Sequence, residues 1–369
     1  MARKLQWRQA REILCIRLDS IGDVLMTTPA IRALKENGRN RRITLLTSSA
    51  GAEIAGLVPE IDEVLVYDAP WLKATPPRKD AAEERRMIDL LAERKFDAAV
   101  IFTVYSQNPL PSALLAFIAD IPLRLAHSHE NPYQLLTDWV ADPEPAALVR
   151  HEVRRQLDLV ASVGCMTEDE SLSIRVPREA KQRVSLLLDA LGLDPRRRTA
   201  VVHAGASASS RRYPPAAFAE VASRLALEDD WQIVLSGTAQ EKRYADELIA
   251  QAKAPIVSLV GRFDLGELAA LLSMADLLVT NNTGPAHVAA AVGTPVVDLY
   301  ALTNPQHTPW AVPNRVLSHD VECKYCYRSV CPEGTNDCLA LVEPAEVVAA
   351  TRDLMAETNA PLQDVVALA

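Results

Sequence analysis

The sequence predicts an α/β protein built from two Rossmann-like domains, each with a parallel sheet. Apolar runs of strand length alternate with stretches of helical periodicity along the chain, and this alternation is typical of parallel sheets covered by helices on both faces. The runs form two successive series, and 369 residues suffice for two domains of ordinary size. The predicted strands are residues 13–18, 43–47, 64–67, 98–102, 200–203, 232–236, 257–260, 277–280 and 296–300.

The two series set the expected domain boundaries. We expect a first domain over residues 1–175 and a second over residues 176–345, with a charged helix and connector at 177–198 that leads into the second sheet. The last segment, residues 346–369, is expected to be an amphipathic helix that packs back on the first domain. The stretch 71–79 contains Pro-Pro between basic residues and cannot be a central strand, so it is either a plain surface connector or a substrate-facing lid.

Composition and charge narrow the function classes. Apolar residues make up 49% and charged residues 24%, as in globular proteins, and no apolar run approaches the roughly 18–20 residues of a membrane helix. The N-terminus lacks the pattern of a signal peptide, so a cytoplasmic protein is expected. A net charge of −9 argues against a nucleic-acid partner. The first 100 residues carry 17 Lys and Arg against 15 Asp and Glu. These basic residues either bind an anionic partner, including a membrane surface, or are simply solvated.

The most informative motif is a Thr-Gly-Pro turn within residues 280–295, between an apolar strand and a helix of small residues. A helix N-terminus favours phosphate, because it offers unpaired N–H groups and the positive end of the helix dipole. Thr283 can cap the helix, Gly284 lets a ligand approach the backbone, and Pro285 fits the first turn. His287 lies four residues after Thr283, so both can face one ligand. The alternative is an ordinary capped strand–helix turn.

Two further motifs follow predicted strands, at the sheet edge where open α/β proteins bind ligands. After the first strand, Gly22 gives a flexible turn and Asp23 stands at the start of a helix, so Asp23 is either an N-cap or a general base. The strand at 200–203 leads into a small-residue loop and paired arginines. An arginine offers a planar fork to phosphate oxygens, so Arg211 and the Thr-Gly turn are expected to form a diphosphate clamp in a cleft between the domains.

Together these motifs resemble glycosyltransferase family 9, the ADP-heptose:lipopolysaccharide heptosyltransferases. They read Asp-Ser-Ile-Gly-Asp-Val at 19–24, His-Ala-Gly-Ala-Ser at 203–207 with Arg-Arg-Tyr-Pro at 211–214, and Asn-Asn-Thr-Gly-Pro-Ala-His at 281–287. The resemblance spans about residues 12–350. It implies the GT-B architecture, in which two Rossmann-like domains face each other across a cleft, the first holding the acceptor and the second the nucleotide sugar. It also implies an inverting reaction without a catalytic metal.

For the first domain, the resemblance implies that Asp23 is the catalytic base. Asp19, Ser20 and Gly22 belong to the same motif and are assigned to acceptor binding. The implied partners are ADP-heptose and a glycan or glycolipid acceptor, in the cytoplasm or peripherally at the inner membrane.

For the second domain, the resemblance implies a set of donor-binding residues. Arg211 falls where the family usually has a lysine near the diphosphate, and Gln240 or Glu241 lies near an acidic residue that binds ribose. Asn282 stands where the family often has Asp, so one negative charge is missing and the donor identity stays open. The expected donor-binding residues are Ser207, Arg211, Arg212, Gln240, Glu241, Asn282, Thr283, Gly284, Pro285 and His287.

The leading interpretation is therefore an inverting glycosyltransferase that moves a heptose from ADP-heptose to a lipopolysaccharide core or a related surface glycan. A second interpretation keeps the fold and changes the donor, or takes a protein acceptor. A third is a non-catalytic nucleotide-sugar-binding module.

Four cysteines, Cys323, Cys326, Cys331 and Cys338, lie within 16 residues near the end of the second domain. In a reducing cytoplasm, clustered cysteines favour a metal site over disulfides, and four thiolates suit tetrahedral Zn²⁺ or a mononuclear iron centre. Their spacing matches neither a common zinc ribbon nor a ferredoxin, so disulfides and free thiols remain alternatives. In each case the cluster takes no part in glycosyl transfer.

Overall fold

The computed structural model describes residues 6–359, and the chain forms two compact units, one ending at Arg175 and the other beginning at Val176. Each unit contains a six-stranded sheet in which every pair of neighbouring strands is parallel. The predicted fold class, α/β with two Rossmann-like parallel sheets, is confirmed.

The first unit has strand order β3-β2-β1-β4-β5-β6. Its strands are β1 (Glu12–Ile16), β2 (Arg42–Thr47), β3 (Glu63–Val66), β4 (Ala98–Ile101), β5 (Leu123–Ser128) and β6 (Asp138–Ala141). Its helices are α1 (Ile21–Glu36), α2 (Ser49–Ala55), α3 (Ala82–Arg94), α4 (Leu110–Ile118) and α5 (Glu152–Ala161). The order reverses between β1 and β4, so the chain leaves these two neighbouring strands in opposite directions and opens a crevice at their carboxyl ends.

The second unit has strand order β12-β11-β10-β7-β8-β9 and reverses between β7 and β10. Its strands are β7 (Thr199–His203), β8 (Gln232–Ser236), β9 (Ile256–Ser258), β10 (Leu277–Asn281), β11 (Val296–Leu299) and β12 (Asn314–Leu317). Its helices are α6 (Arg178–Ala190), α7 (Pro215–Glu228), α8 (Lys242–Gln251), α9 (Leu265–Met274), α10 (Gly284–Val292), α11 (Asp337–Ala340) and α12 (Pro344–Asn359). The Thr-Gly-Pro turn therefore lies at the reversal point.

Apolar burial explains why the central strands form where they do. The four residues Ile13–Ile16 of β1 and all five residues of β10 are buried, which suits strands covered on both faces. In the second unit, α7, α8 and α12 contribute apolar side chains to one buried core with β7, β8, β10 and β11. Helices α9 and α10 pack on each other, and α6 packs on α9.

The C-terminal helix contributes to the core of the second unit. Helix α12 packs on α7 and lies against β11 and β12, and its buried side chains Val347, Val348 and Leu354 join the core of the second unit. Packing of this segment on the first domain stays a prediction. Amphipathicity shows that one face of a helix is buried, but not which neighbour covers it. The remainder of that segment, residues 360–369, lies outside the described residues.

Within residues 6–359 no helix combines the length and the apolar character needed to cross a bilayer.

Candidate active site

The carboxyl end of β1 carries a fully buried arginine that contacts three carboxylates. Arg17 Nε lies 3.0 Å from Asp19 Oδ2, and Nη2 lies 3.0 Å from Asp23 Oδ1. Nη1 lies 2.8 Å from Oε1 of Glu152, the first residue of α5. The Arg17 and Glu152 side chains are 0% and 1% exposed, whereas those of Asp19 and Asp23 are 15% and 16% exposed. One buried cation therefore fixes two carboxylates that solvent can still reach.

The cluster has three carboxylates around one arginine, which favours protonation of a carboxylate. Burial raises the pKa of Asp19 to about 6, against the attraction of Arg17. Burial also raises the pKa of Glu152, which Arg17 again opposes. Burial alone would lower the pKa of Arg17, but the three neighbouring carboxylates have the larger effect and raise that pKa. The arginine thus stays ionised, while the carboxylates around it compete for one positive charge.

Asp23 is not the N-cap of α1: Ser20 occupies that position, and Asp23 is the acidic residue of the first turn that bonds back to it. Ser20 donates from its backbone N (3.1 Å) and its Oγ (2.7 Å) to Asp23 Oδ2, which gives α1 a capping box. The other carboxylate oxygen faces Arg17. Ser20 is exposed next to Asp23, whereas Gly22 is buried in the first turn of α1. The cap therefore orients the same carboxylate that is the proposed base.

Sequence analysis missed Arg17 and Glu152. A signal existed for Arg17, because a charged residue directly after the buried run of β1 needs a partner. Glu152 gave none, since 135 residues separate it from Arg17.

In the second unit, the N-terminus of α10 has the features of an anion site. Thr283 occupies the N-cap position, but its side chain makes no capping hydrogen bond, contrary to the role proposed from the sequence. Gly284 and Pro285 form the first turn, and His287 is buried in the helix. Pro285 has no N–H, and Ala286 N donates to Thr283 O at 3.0 Å. Within the first turn, the Gly284 N–H is therefore the group that a ligand oxygen can accept from.

Arg211 and Asp298 form a second polar centre near this helix end. Arg211 ends the short turn Ser209–Arg211 that follows β7, and Asp298 is fully buried in β11. Among the described residues, neither oxygen of Asp298 has a hydrogen-bond partner, and Arg211 Nε is buried and unpartnered as well. Burial raises the pKa of Asp298 well above its usual value, and the charge of Arg211 counteracts this.

The remaining predicted donor residues divide into two groups. Glu241 accepts hydrogen bonds from Thr238 (N at 2.8 Å, Oγ1 at 3.0 Å), and a side chain at Gly205 would collide with its carboxylate. Gln240 is exposed, whereas Glu241 is half-buried and lies against Gly205 in the loop after β7. The other two residues have different neighbours. Ser207 is exposed to solvent. Arg212 donates to Ala206 O (2.8 Å) and stacks over the Tyr244 ring at 4.5 Å.

Two asparagines connect the loops at the reversal point. Asn281 accepts from Tyr213 N (2.9 Å) and donates to Ala204 O (2.8 Å), so it fixes the loop after β7 to the end of β10. Asn282, where the family often has Asp, accepts from Ala301 N at 3.1 Å. A backbone N–H therefore binds the amide oxygen of Asn282.

A row of polar side chains crosses the second sheet in register near its carboxyl edge, and sequence analysis did not foresee it. The paired positions are Ser236, His203, Thr280 and Asp298, one from each of β8, β7, β10 and β11. His203 Nδ1 lies 3.1 Å from Ser236 Oγ, and its Nε2 lies 3.6 Å from Glu241 Oε2. Burial lowers the pKa of His203, so its ring favours the neutral form.

The cysteine segment, residues 321–338, packs beside the turn that carries Arg211. Its four cysteines are free thiols that line one cavity of about 400 Å³ together with Ser210. Ser210 donates from Oγ to Arg328 O (2.8 Å), and Asn336 Nδ2 donates to Ser209 O (3.1 Å). Across the described residues, no three His, Cys, Asp or Glu side chains are arranged as metal ligands. The set of thiols suits a soft metal, although it is not assembled around one.

Two units, each with a parallel six-stranded sheet, match the GT-B fold of the solved heptosyltransferase structures that this chain resembles. The chain belongs to glycosyltransferase family 9 (heptosyltransferase), whose family model matches residues 85–336.

A curated relative agrees with this membership, and solved structures agree with the fold. Lipopolysaccharide heptosyltransferase 2 of Salmonella typhimurium is 27% identical over 311 residues, which cover 81% of this chain and 85% of the relative. A family 9 glycosyltransferase from Veillonella parvula superposes with a TM-score of 0.77 at 23% identity, over 97% of this chain and all of that one. The E. coli ADP-heptose lps heptosyltransferase II superposes with a TM-score of 0.73 at 23% identity, over 95% and 100% of the two chains.

Replacing Arg17 tests its place in the cluster. Arg17→Met leaves three carboxylates around an apolar side chain, and we expect the free energy of unfolding to fall by about 3–5 kcal/mol, the usual result of breaking a buried ion pair. Arg17→Lys keeps the charge but lacks the planar fork, so its free energy of unfolding should fall by a smaller amount. Urea denaturation measures both, and equal stability of Arg17→Met and wild type would contradict the assignment.

Replacing Asp19 tests its raised pKa. A folded-state pKa of about 6, above the unfolded value of 3.8, means that protonation favours the folded state. This contribution is complete below about pH 4 and is lost as the pH rises through 6, at a cost of up to about 3 kcal/mol. Wild type should therefore lose stability relative to Asp19→Asn between pH 4 and 7, measured by urea denaturation at each pH. Parallel pH profiles of the two proteins would show that the pKa is not raised.

Proposed function

We propose that the protein is an inverting glycosyltransferase that moves a heptose from ADP-heptose to a lipopolysaccharide core or a related surface-glycan acceptor. The observation that carries the proposal is the N-terminus of α10, which no side chain caps and which lies at the reversal point of the second sheet, where Arg211 follows the neighbouring strand. Membership in family 9 and likeness to enzymes named as heptosyltransferases support the choice of sugar.

The second unit supplies the donor site in this proposal. Displacing ADP from the anomeric carbon leaves negative charge on the diphosphate. The Gly284 N–H, the positive end of the α10 dipole and the Arg211 guanidinium stabilise that charge without a metal. Glu241 accepts hydrogen bonds from the ribose hydroxyls. Asn282 contributes no charge, which suits a site that must hold an anionic leaving group.

The first unit supplies the base. The acceptor hydroxyl oxygen forms a bond to the anomeric carbon as the bond from that carbon to the diphosphate oxygen breaks. ADP leaves with the bonding electrons, and Asp23 takes the hydroxyl proton. Attack from the face opposite ADP inverts the anomeric configuration. Arg17 and Ser20 hold the Asp23 carboxylate in one orientation, so little has to be reorganised during the reaction.

The proposed setting is the cytoplasm, with peripheral contact to the inner membrane surface where a lipid-linked acceptor is presented. The near balance of charge in the first 100 residues, within a chain of net charge −9, supports contact with an anionic surface.

A second candidate keeps the reaction and takes another nucleotide sugar, because Asn282 departs from the family's Asp. Thermal shifts with a panel of nucleotide sugars distinguish the two, since a true donor stabilises the folded state by mass action. The largest shift is expected with ADP-heptose.

Asp23→Asn tests the base. We expect kcat to fall by about 10²–10⁴, the usual contribution of a positioned base, while the Kd for ADP-heptose stays unchanged. Glu267→Gln is the matched control, because Glu267, like Asp23, is the N3 carboxylate of a capping box and pairs with an arginine, here Arg183. Turnover of ADP-heptose and calorimetric donor binding are measured for each. Wild-type turnover in Asp23→Asn would exclude Asp23 as the base.

We also propose that the cysteine segment binds a structural Zn²⁺ or iron ion that does not enter the reaction. The support is the set of four thiols around one cavity. Anaerobically purified wild type should contain about one metal ion per chain by elemental analysis, whereas Cys326→Ser should lose it and the control Cys165→Ala should keep it. Equal metal content in wild type and Cys326→Ser would refute the site.

A further inference from the structure

A cavity of about 280 Å³ opens in the first unit where the strand order reverses between β1 and β4. It lies at the carboxyl ends of these strands, next to the start of α4. Its size is just below the roughly 300–1,000 Å³ of sites for drug-sized ligands, so it suits one small ring. Asp19, Trp71, Phe102, Thr103, Ser106 and Gln107 are among the residues that line it.

One wall of the cavity is polar and already ordered. Gln107 Nε2 donates to Asp19 Oδ1 at 2.6 Å, and the other oxygen of Asp19 lies 3.0 Å from Arg17 Nε. Asp19 and Asp23 contact the same guanidinium, so a ligand that reaches Asp19 is close to the proposed base. Of the described residues that line the cavity, none is a lysine or an arginine.

An aromatic side chain stands at the mouth. The Trp71 side chain is 36% exposed, and its ring meets the Tyr67 ring edge-on at 5.8 Å between centroids. Arg78 lies over the Tyr67 ring at 5.6 Å and forms an ion pair with Glu84 at the start of α3. Tyr67 thus contacts the Trp71 ring and is itself held by Arg78 and Glu84. The exposed part of the indole remains available to a ligand.

We propose that this cavity binds one uncharged pyranose ring of the acceptor, with Trp71 as its stacking surface and Asp19 and Gln107 as its hydrogen-bonding groups. A pyranose has an apolar C–H face that packs on an indole and a rim of hydroxyls that donate to carboxylate and amide oxygens. A phosphorylated or carboxylated sugar would place its charge beside Asp19 with no cation lining the cavity. The inference rests on the proposed function and names the class of acceptor for it.

Saturation-transfer NMR on the full chain tests the ligand class. The probes are neutral methyl glycopyranosides, a methyl glucuronide and a hexose 6-phosphate, each titrated without nucleotide sugar. We expect transfer to at least one neutral glycoside and weaker binding of both anionic sugars. Tighter binding of an anionic sugar, or no transfer to any neutral glycoside, would overturn the proposal.

Variants locate the site. Trp71→Ala should weaken binding of the neutral glycoside about five- to tenfold, and Trp71→Phe should restore most of it, because stacking survives. Trp139→Ala is the matched control, since Trp139 is a similarly exposed tryptophan in the same unit that does not line the cavity. Wild-type affinity in Trp71→Ala, or an equal loss in Trp139→Ala, would refute this location.

Donor binding separates this proposal from the proposed function. All three tryptophan variants should bind ADP-heptose as wild type does. If wild type binds ADP-heptose but no neutral glycoside, only the acceptor proposal fails; if it binds the glycoside but not ADP-heptose, the donor assignment fails.

Discussion

The first unit depends on one fully buried guanidinium. Arg17 contacts Asp19, Asp23 and Glu152 at 2.8–3.0 Å, and its position after β1 places it at the reversal point of the sheet. Burying a charge is unfavourable unless partners with suitable geometry surround it, and the planar fork of arginine can meet three carboxylates at once. The same contacts that stabilise the arginine orient the proposed base and one wall of the acceptor cavity.

The electrostatics of the second unit differ from those of the first. In the proposed function its site binds an anionic donor, and the groups proposed to attract that donor are the N-terminus of α10 and the guanidinium of Arg211 rather than an array of lysines. Asp298 is buried near Arg211 without a hydrogen-bond partner in the described residues. The in-register polar row from Ser236 to Asp298 extends from the Glu241 side of the site to the Arg211 side.

Much of the fold was predictable, because buried parallel strands are continuous apolar runs. The strands that sequence analysis missed, β5, β6 and β12, carry charged residues or exposed edges, and their burial depends on neighbours distant in sequence. Motifs identified Asp23 and the α10 turn, since local spacing encodes them. Glu152 was not predictable, because only tertiary packing of α5 brings it to Arg17. The packing of α12 on α7 was not predicted, for the same reason.

The most direct test of the account is the activity of Arg17→Lys, which keeps the buried charge and loses the fork that orients Asp23. The account predicts that kcat for transfer from ADP-heptose falls at least tenfold while the Kd for ADP-heptose is unchanged, because the damage is confined to the unit that holds the base. A wild-type kcat in folded Arg17→Lys would contradict the claim that this guanidinium positions the catalytic carboxylate.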